Sequence, residues 1–322
     1  QRCAGRRALH SPAPTAVAAD PGLAMTYQVT HRTEYRYSSP VSSSFGEIVM
    51  LPRDLPGQVC VRSQLTIEPP PQDLRERLDF FGNRTAYFAL LTPHTRLSVT
   101  VTSLVRVNGR RVELAEAGET PWERVRDRIH TSPDAEVFDA AVFDARQFVL
   151  DSPLVTTSEQ LAEYAAPSFP PGAPILAALS DLTSRIYREF HFAPGATDVK
   201  TTIEEVLKRR AGVCQDFAHV AIGCLRSLGL AARYVSGYLE TRPPPGKARV
   251  AGADVSHAWA SVFVSDAGWV DIDPTNDQLV NDRYVTTAWG RDYTDVPPLK
   301  GVIFTQAEKH DLRVTVDVVP VE

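Results

Sequence analysis

The sequence predicts an α+β protein in which a β-rich N-terminal segment precedes a segment of helices followed by strands. Three observations carry this. Between Met25 and Val107, apolar and polar residues alternate in short runs separated by turn residues. From Ile175 the spacing of apolar residues lengthens to that of an amphipathic helix. After Gly229 strand patterns return, and helices followed by strands are the order of an α+β domain.

Taken in order, residues 1–24 are rich in Ala, Pro and Arg, lack the apolar run of a secretory signal, and read as a disordered leader, with Met25 a candidate start. Residues 25–107 form the β-rich segment. "TYQVTHRTEYRYSS", "CVRSQLTIEP", "TAYFALLT" and "RLSVTVTSLVRV" are its strands, and "PRDLPGQ", "PPPQD" and "FGN" its turns. Several short strands so punctuated predict a sandwich-like all-β domain. Residues 108–171 read as a helical linker containing "TPWERVRDRIH" and "SEQLAEYAA", closed by "PSFPPGAP". Residues 172–322 form the second domain. "ILAALSDLTSRIYREFHF" is its first helix. "TTIEEVLKRRAG" is the next, with Thr201 or Thr202 as N-cap, Glu205 nearby and Gly212 as the stop. A third helix runs from about Val213 to Gly229. "AARYVSGYLE", "VSHAWASVFVSD", "GWVDIDP" and "LRVTVDVVPVE" are strands.

Composition narrows the function classes. Hydrophobic residues make up 43% and charged residues 23%, enough apolar material for a real core. The net charge of −5 argues against a nucleic-acid surface. No stretch is long and apolar enough to span a bilayer. The four cysteines, Cys3, Cys60, Cys214 and Cys224, contain no CxxC pair and form no dense disulfide framework, so free thiols in a reducing, cytoplasmic compartment are expected.

Cys214 admits three readings. As a metal ligand it would need His219 and Cys224, each a step of five along a helix, but such a step turns the side chain by about 140°. The three groups diverge, so neither a metal nor any other cofactor is expected. As packing, Cys214 would be an inert apolar thiol, the reading that suits Cys224 within its apolar helix. As a nucleophile, it sits in the first turn of a helix, where free amides and the helix dipole favour negative charge on sulfur and on a developing oxyanion. A base and an orienting group are also available. His257 lies in one strand pattern and Asp273 ends the next, so two antiparallel strands joined by "SDAG" bring them to neighbouring strand ends. Asp271 shares the parity of Asp273, and alternation does not choose between them.

"GVCQDFAH", "RYVSGY", "SHAWASVF" and "GWVDIDPTND" resemble the core of the transglutaminase-like superfamily, in its bacterial cysteine-peptidase-like branch. "HRTEYRYSSPV", "MLPRDLPGQ", "DFFGN" and "TPH" resemble, less specifically, the β-rich region that precedes this core in many bacterial members. The resemblance implies a papain-like core, with a nucleophile helix packed on an antiparallel sheet. It implies Cys214 as nucleophile, His257 as base and Asp273 as orienting carboxylate. No calcium-loop pattern of alternating carboxylates is present, so calcium activation is not implied.

The neighbouring residues keep more than one reading. His219, Asp216 and Gln215 support the site from behind or line the substrate, with Asp216 capping the helix start. Trp259 shares parity with His257 and either packs over the catalytic pair, lines the cleft or fills the core. Tyr234 and Tyr238 read as sheet packing. The Pro- and Gly-rich loop from Thr241 to Asp254 is either a cleft wall or a surface excursion. The leading function is a cysteine hydrolase acting on peptide or amide bonds of a peptide or protein substrate. The runners-up are a crosslinking acyltransferase and a peptide-binding module with a vestigial triad. Neither the oligomeric state nor the role of the N-terminal domain is legible.

Overall fold

A computed structural model describes residues 24–108, 119–131, 139–198, 201–241, 254–265, 267–306 and 309–321. The leader expected at 1–24 therefore lies, except for Ala24, outside the described residues.

The N-terminal segment forms β1 (Ala24–Ile48), β2 (Gln58–Glu68), β3 (Asp73–Leu78), β4 (Arg84–Leu90) and β5 (His94–Asn108). Alternation over the first half of β1 buries Tyr27, Val29, His31 and Thr33 while Gln28, Arg32 and Arg36 lie on the other face, where Glu34 is also buried. These strands belong to one seven-stranded antiparallel sheet in the order β2-β5-β1-β4-β3. The 25-residue β1 is its spine, with β5 along its first half and β4 along its second. The register against β5 shifts between Arg36 and Val41, an irregularity in the ladder. Ile67, Val99 and Val101 on one arm pack with Ala86, Phe88 and Leu90 on the other. The expected all-β N-terminal domain is thus built on one antiparallel sheet whose strands share an apolar core.

The chain continues through α1 (Trp122–His130), α2 (Ala140–Ala145) and α3 (Glu159–Ala165). Trp122, Val125, Leu161 and Tyr164 are buried in the core that holds the rest of the helices, so this stretch is a packed layer rather than a linker. Next come α4 (Ile175–Glu189), β6 (His191–Phe192), α5 (Ile203–Arg209), β7 (Ala211–Gly212) and α6 (Cys214–Ser227). Thr202 caps α5 in a reciprocal capping box with Glu205. The helix stops at Arg209, not Gly212, because Arg210 takes the left-handed conformation at φ 54°. Gly212 instead belongs to β7, paired in parallel with β6.

The second sheet comprises β8 (Ala232–Leu239), β9 (Ser256–Val264), β10 (Gly268–Asp273), β11 (Gln278–Leu279) and β12 (Tyr284–Gly290), in the order β11-β10-β9-β8-β12. α6 lies across it, with Val220, Ile222 and Leu225 packed in one core with Ala258, Ala260 and Val262 of β9. Gly223 permits the close approach of its neighbours: a Cβ there would lie 2.6 Å from Ile203 Cδ1 and 3.0 Å from Leu161 Cδ1.

The last two strands, β13 (Leu299–Thr305) and β14 (His310–Val321), correct the expected partition of the chain. Both pair with β1, along its free side, and so complete the N-terminal sheet rather than the second one. The apolar side chains of β14 explain this. Val316 and Val318 are fully buried with Tyr27, Val29, Val105, Tyr238 and Val285, the seam at which the two sheets meet. Among the described residues no helix is long and apolar enough to cross a membrane.

Candidate active site

α6 begins at Cys214 for a local reason. Val213 is extended, and Asp216 turns back to accept the Val213 N–H on Oδ2 at 2.7 Å. The same oxygen accepts the Thr197 hydroxyl at 2.7 Å. Asp216 is thus the cap its position predicts, and its carboxylate occupies the space beside Gly212, where a Cβ would sit 2.5 Å from Oδ2. With the Val213 amide engaged, the first amide of the helix left to face a ligand is that of Cys214 itself. The Cys214 thiol is free and half-buried.

The two adjoining strands bring up the partners. β9 pairs with β10 so that Asp271 stands opposite Ser261 and Ile272 opposite Ala260, which leaves Asp273 at the strand end, level with Trp259 and nearer His257. His257 Nε2 bonds Asp273 Oδ2 at 2.6 Å. Asp271 instead accepts the Trp259 indole N–H at 3.3 Å. The structure therefore separates the two aspartates that alternation left equal. With Nε2 taken by the carboxylate, Nδ1 is the imidazole nitrogen left for the Cys214 thiol, which lies near enough to His257 to raise its pKa.

The electrostatics follow from this arrangement. Burial opposes a charge on His257, but the bonds to Asp273 and Cys214 outweigh it and push its pKa up to about 10. Burial likewise opposes the Asp273 charge, yet hydrogen bonds from His257, Asn276 and Tyr284 hold its carboxyl below the usual range. Asp273 is fully buried and accepts four donors: His257, the Tyr284 hydroxyl at 2.6 Å, Asn276 Nδ2 at 2.7 Å and the Thr275 N–H at 2.9 Å. Asn276 Nδ2 also lies 3.3 Å from His257 Nε2.

The remaining sequence candidates fall around this centre. Gln215 is half-buried beside Cys214. His219 does not line a substrate site: it is buried, accepts the Tyr293 N–H on Nε2 at 3.2 Å and packs 5.0 Å from the Tyr234 ring. Burial lowers its pKa to about 4, so it is a neutral acceptor. Trp259 is wholly buried, its ring 6.1 Å from His257 and 5.3 Å from Tyr284, so it supports the pair from beneath and lines no cleft. Tyr234 is a packing residue that lies close to Cys214; burial and then that proximity raise its pKa. Tyr238 is buried in the seam, its hydroxyl 2.9 Å from His31 Nδ1. The Thr241–Asp254 loop lies outside the described residues except for its ends, where the Thr241 hydroxyl donates to Asp254. Among the described residues no group of His, Cys, Asp or Glu is placed to hold a metal ion.

Sequence reasoning missed Tyr284, Asn276 and Gln278, whose Nε2 donates to the Tyr284 hydroxyl at 2.6 Å. Asn276 was within reach, since it falls in the quoted "DPTND" turn just after Asp273. Tyr284 carried no local signal, because β12 was not recognised as a strand.

Comparison with known proteins gives a consistent result. The profile of the bacterial transglutaminase-like N-terminal region matches residues 27–106, and that of the transglutaminase-like superfamily matches residues 165–274. An uncharacterized protein of Mycobacterium tuberculosis is 47% identical over 302 residues, covering 92% of this chain and 93% of its own. An uncharacterized protein of Mycobacterium leprae is 32% identical over 294 residues, covering 90% and 97%. The crystal structure of a proposed cysteine protease from Cytophaga hutchinsonii superposes with a TM-score of 0.71 at 21% identity, covering 93% of this chain and 91% of that one. With both sheets in place and relatives aligned over nine-tenths of its length, the chain belongs to the transglutaminase-like superfamily, in a form that carries the bacterial N-terminal region.

Proposed function

We propose that the protein is a cysteine-dependent hydrolase that cleaves peptide or amide bonds through Cys214, His257 and Asp273. One observation carries this reading: a half-buried thiol at a helix start stands beside an imidazole whose Nε2 is bonded to a buried carboxylate, near enough to raise the pKa of the ring. The raised pKa of His257 favours the proton on the ring, so the thiol proton passes from Sγ to Nδ1 and leaves a thiolate. The thiolate attacks the carbonyl carbon. The Cys214 amide and a further donor stabilise the oxyanion. The C–N bond then breaks as His257 returns the proton to the leaving amine, forming a thioester. Water, deprotonated by His257, releases the acid and restores the thiol. Asp273 holds the ring in position and stays ionised throughout.

Superfamily membership supports a cysteine-dependent enzyme in general. The description of the Cytophaga protein as a proposed protease supports hydrolysis over crosslinking. The free thiols of Cys60, Cys214 and Cys224 support a cytoplasmic location, and recovery from an extracytoplasmic fraction of the cell would count against it.

The test is intact-mass analysis after brief treatment with limiting iodoacetamide across pH 5 to 9, on wild type, Cys214→Ala and His257→Ala. Rapid single labelling of Cys214 well below the range of an ordinary thiol, at about pH 8.5, and lost in His257→Ala, supports the mechanism. Wild-type Cys214 reacting no faster than a free thiol overturns it. Peptide substrates supplied with and without a primary amine then separate hydrolysis, which yields a free acid, from amine transfer.

A further inference from the structure

The N-terminal region meets the second sheet at its edge strand, β12, and it does so through side-chain amides. An edge strand presents backbone N–H and C=O groups that lack a partner strand. Two residues of β12 are paired instead by amides from the N-terminal region. Gln58 donates from Nε2 to the Thr286 carbonyl at 2.8 Å and accepts the Thr286 N–H on Oε1 at 2.8 Å. Asn83 repeats the arrangement, donating from Nδ2 to the Trp289 carbonyl at 2.8 Å and accepting the Trp289 N–H at 3.0 Å. Each amide supplies the donor and acceptor that one residue of a neighbouring strand would supply.

Both amides are themselves fixed. Gln58 Nε2 also donates to the Arg53 carbonyl at 2.8 Å. Asn83, fully buried, donates to Asp79 from its side chain and its backbone at 2.8 Å each, and accepts from the Arg53 guanidinium. That guanidinium lies 3.2 Å from the centroid of the Trp289 ring. The residues involved are those of "MLPRDLPGQ" and "DFFGN", motifs that the proposed chemistry does not use.

The clamped strand needs outside support at this point. Its pairing with β8 shifts register between Thr286 and Ala288, a bulge that interrupts the ladder. The two amides bind on either side of the interruption. Two residues before the first clamp is Tyr284, whose hydroxyl donates to Asp273 Oδ2 at 2.6 Å. Sliding β12 along β8 would carry that hydroxyl away from the carboxylate, and a slip of one residue would turn the ring to the other face.

We propose that the N-terminal region is a positioning element of the active site: Gln58 and Asn83 hold β12 in register across its bulge, and so hold the Tyr284 hydroxyl on Asp273. The inference rests on the reading of Cys214, His257 and Asp273 as a catalytic triad. Gln58 acts through β12 and Tyr284, not by touching the thiol.

The experiment measures the pH dependence of Cys214 alkylation by iodoacetamide in the full chain, for wild type, Tyr284→Phe, Gln58→Met and the double variant. Tyr284→Phe removes only the hydroxyl, and Gln58→Met keeps the length and packing of the side chain while removing both bonds to Thr286 and the bond to the Arg53 carbonyl. Each single variant is expected to displace the pH profile towards that of an ordinary thiol and slow alkylation at pH 7 by about 5-fold, the effect of one hydrogen bond. In the double variant the Gln58 effect should largely vanish, because the hydroxyl through which it acts is absent. Gln58→Leu, shorter than methionine and likewise without donor or acceptor, should shift the profile in the same direction, and it serves as the test if the methionine variant does not fold. A wild-type pH profile in the Gln58 variants with only the melting temperature lowered, or fully additive effects in the double variant, overturns the proposal alone. A wild-type thiol without activation overturns the catalytic reading and this inference with it.

Discussion

His257 is bonded to a buried carboxylate and lies beside a thiol, and both neighbours favour its protonated form. Its pKa in the fold, about 10, stands above the unfolded value of about 6.5. Its contribution to stability is therefore complete below about pH 6.5 and is lost as pH rises through 10. Asp273 is held below the usual carboxylate range, so its contribution is present above about pH 3.9 and is lost on further acidification. The pair should stabilise most between about pH 4 and 6.5. The difference in melting temperature between wild type and His257→Gln should be greatest in that window and shrink towards pH 10; a difference constant with pH would contradict the assigned bonds. At this scale Cys214 and His257 were legible because each sits at a recognisable place in a local pattern. Period-two reasoning left Asp271 and Asp273 equal, since parity records the face and not the distance along the strand. Tyr284 was illegible because its partner lies across a strand with no alternating signal.

At the scale of elements, the start of α6 depends on one carboxylate. Asp216 binds the Val213 amide and the Thr197 hydroxyl, joining the helix start to the preceding segment. Asp216→Ala should cost about 1–2 kcal/mol in denaturant unfolding and slow Cys214 alkylation, because the first turn then frays under the thiol. Unchanged stability and reactivity would mean that the turn is held by packing alone. The long strands and the capped helices α5 and α6 were readable from period and caps. β3 was hidden by its charge, since "DLRERL" is an exposed edge with no buried face. β12 was hidden by its small residues and bulge, and β13 by its nearly continuous exposure.

At the scale of the molecule, sequence order was a poor guide to sheet membership. β13 and β14 follow the strands of the second sheet in sequence yet pair with β1, which begins at Ala24. Local pattern reveals that a segment is a strand but not which distant strand it joins. Removing residues after 298 should strip one side of β1 and uncover Tyr27, Val29 and Tyr238. The shortened chain should aggregate or lose alkylation at Cys214, as size-exclusion chromatography and labelling would show. A monomeric, fully reactive truncation would make β13 and β14 dispensable.

The closing of β1 by β13 and β14 also has a consequence in time. During synthesis the ribosome releases α6 and its sheet before the residues that finish the sheet against which they rest. The seam between the two sheets therefore forms only after Val316 and Val318 have left the exit tunnel. The two sheets stay unjoined at this seam until β14 arrives.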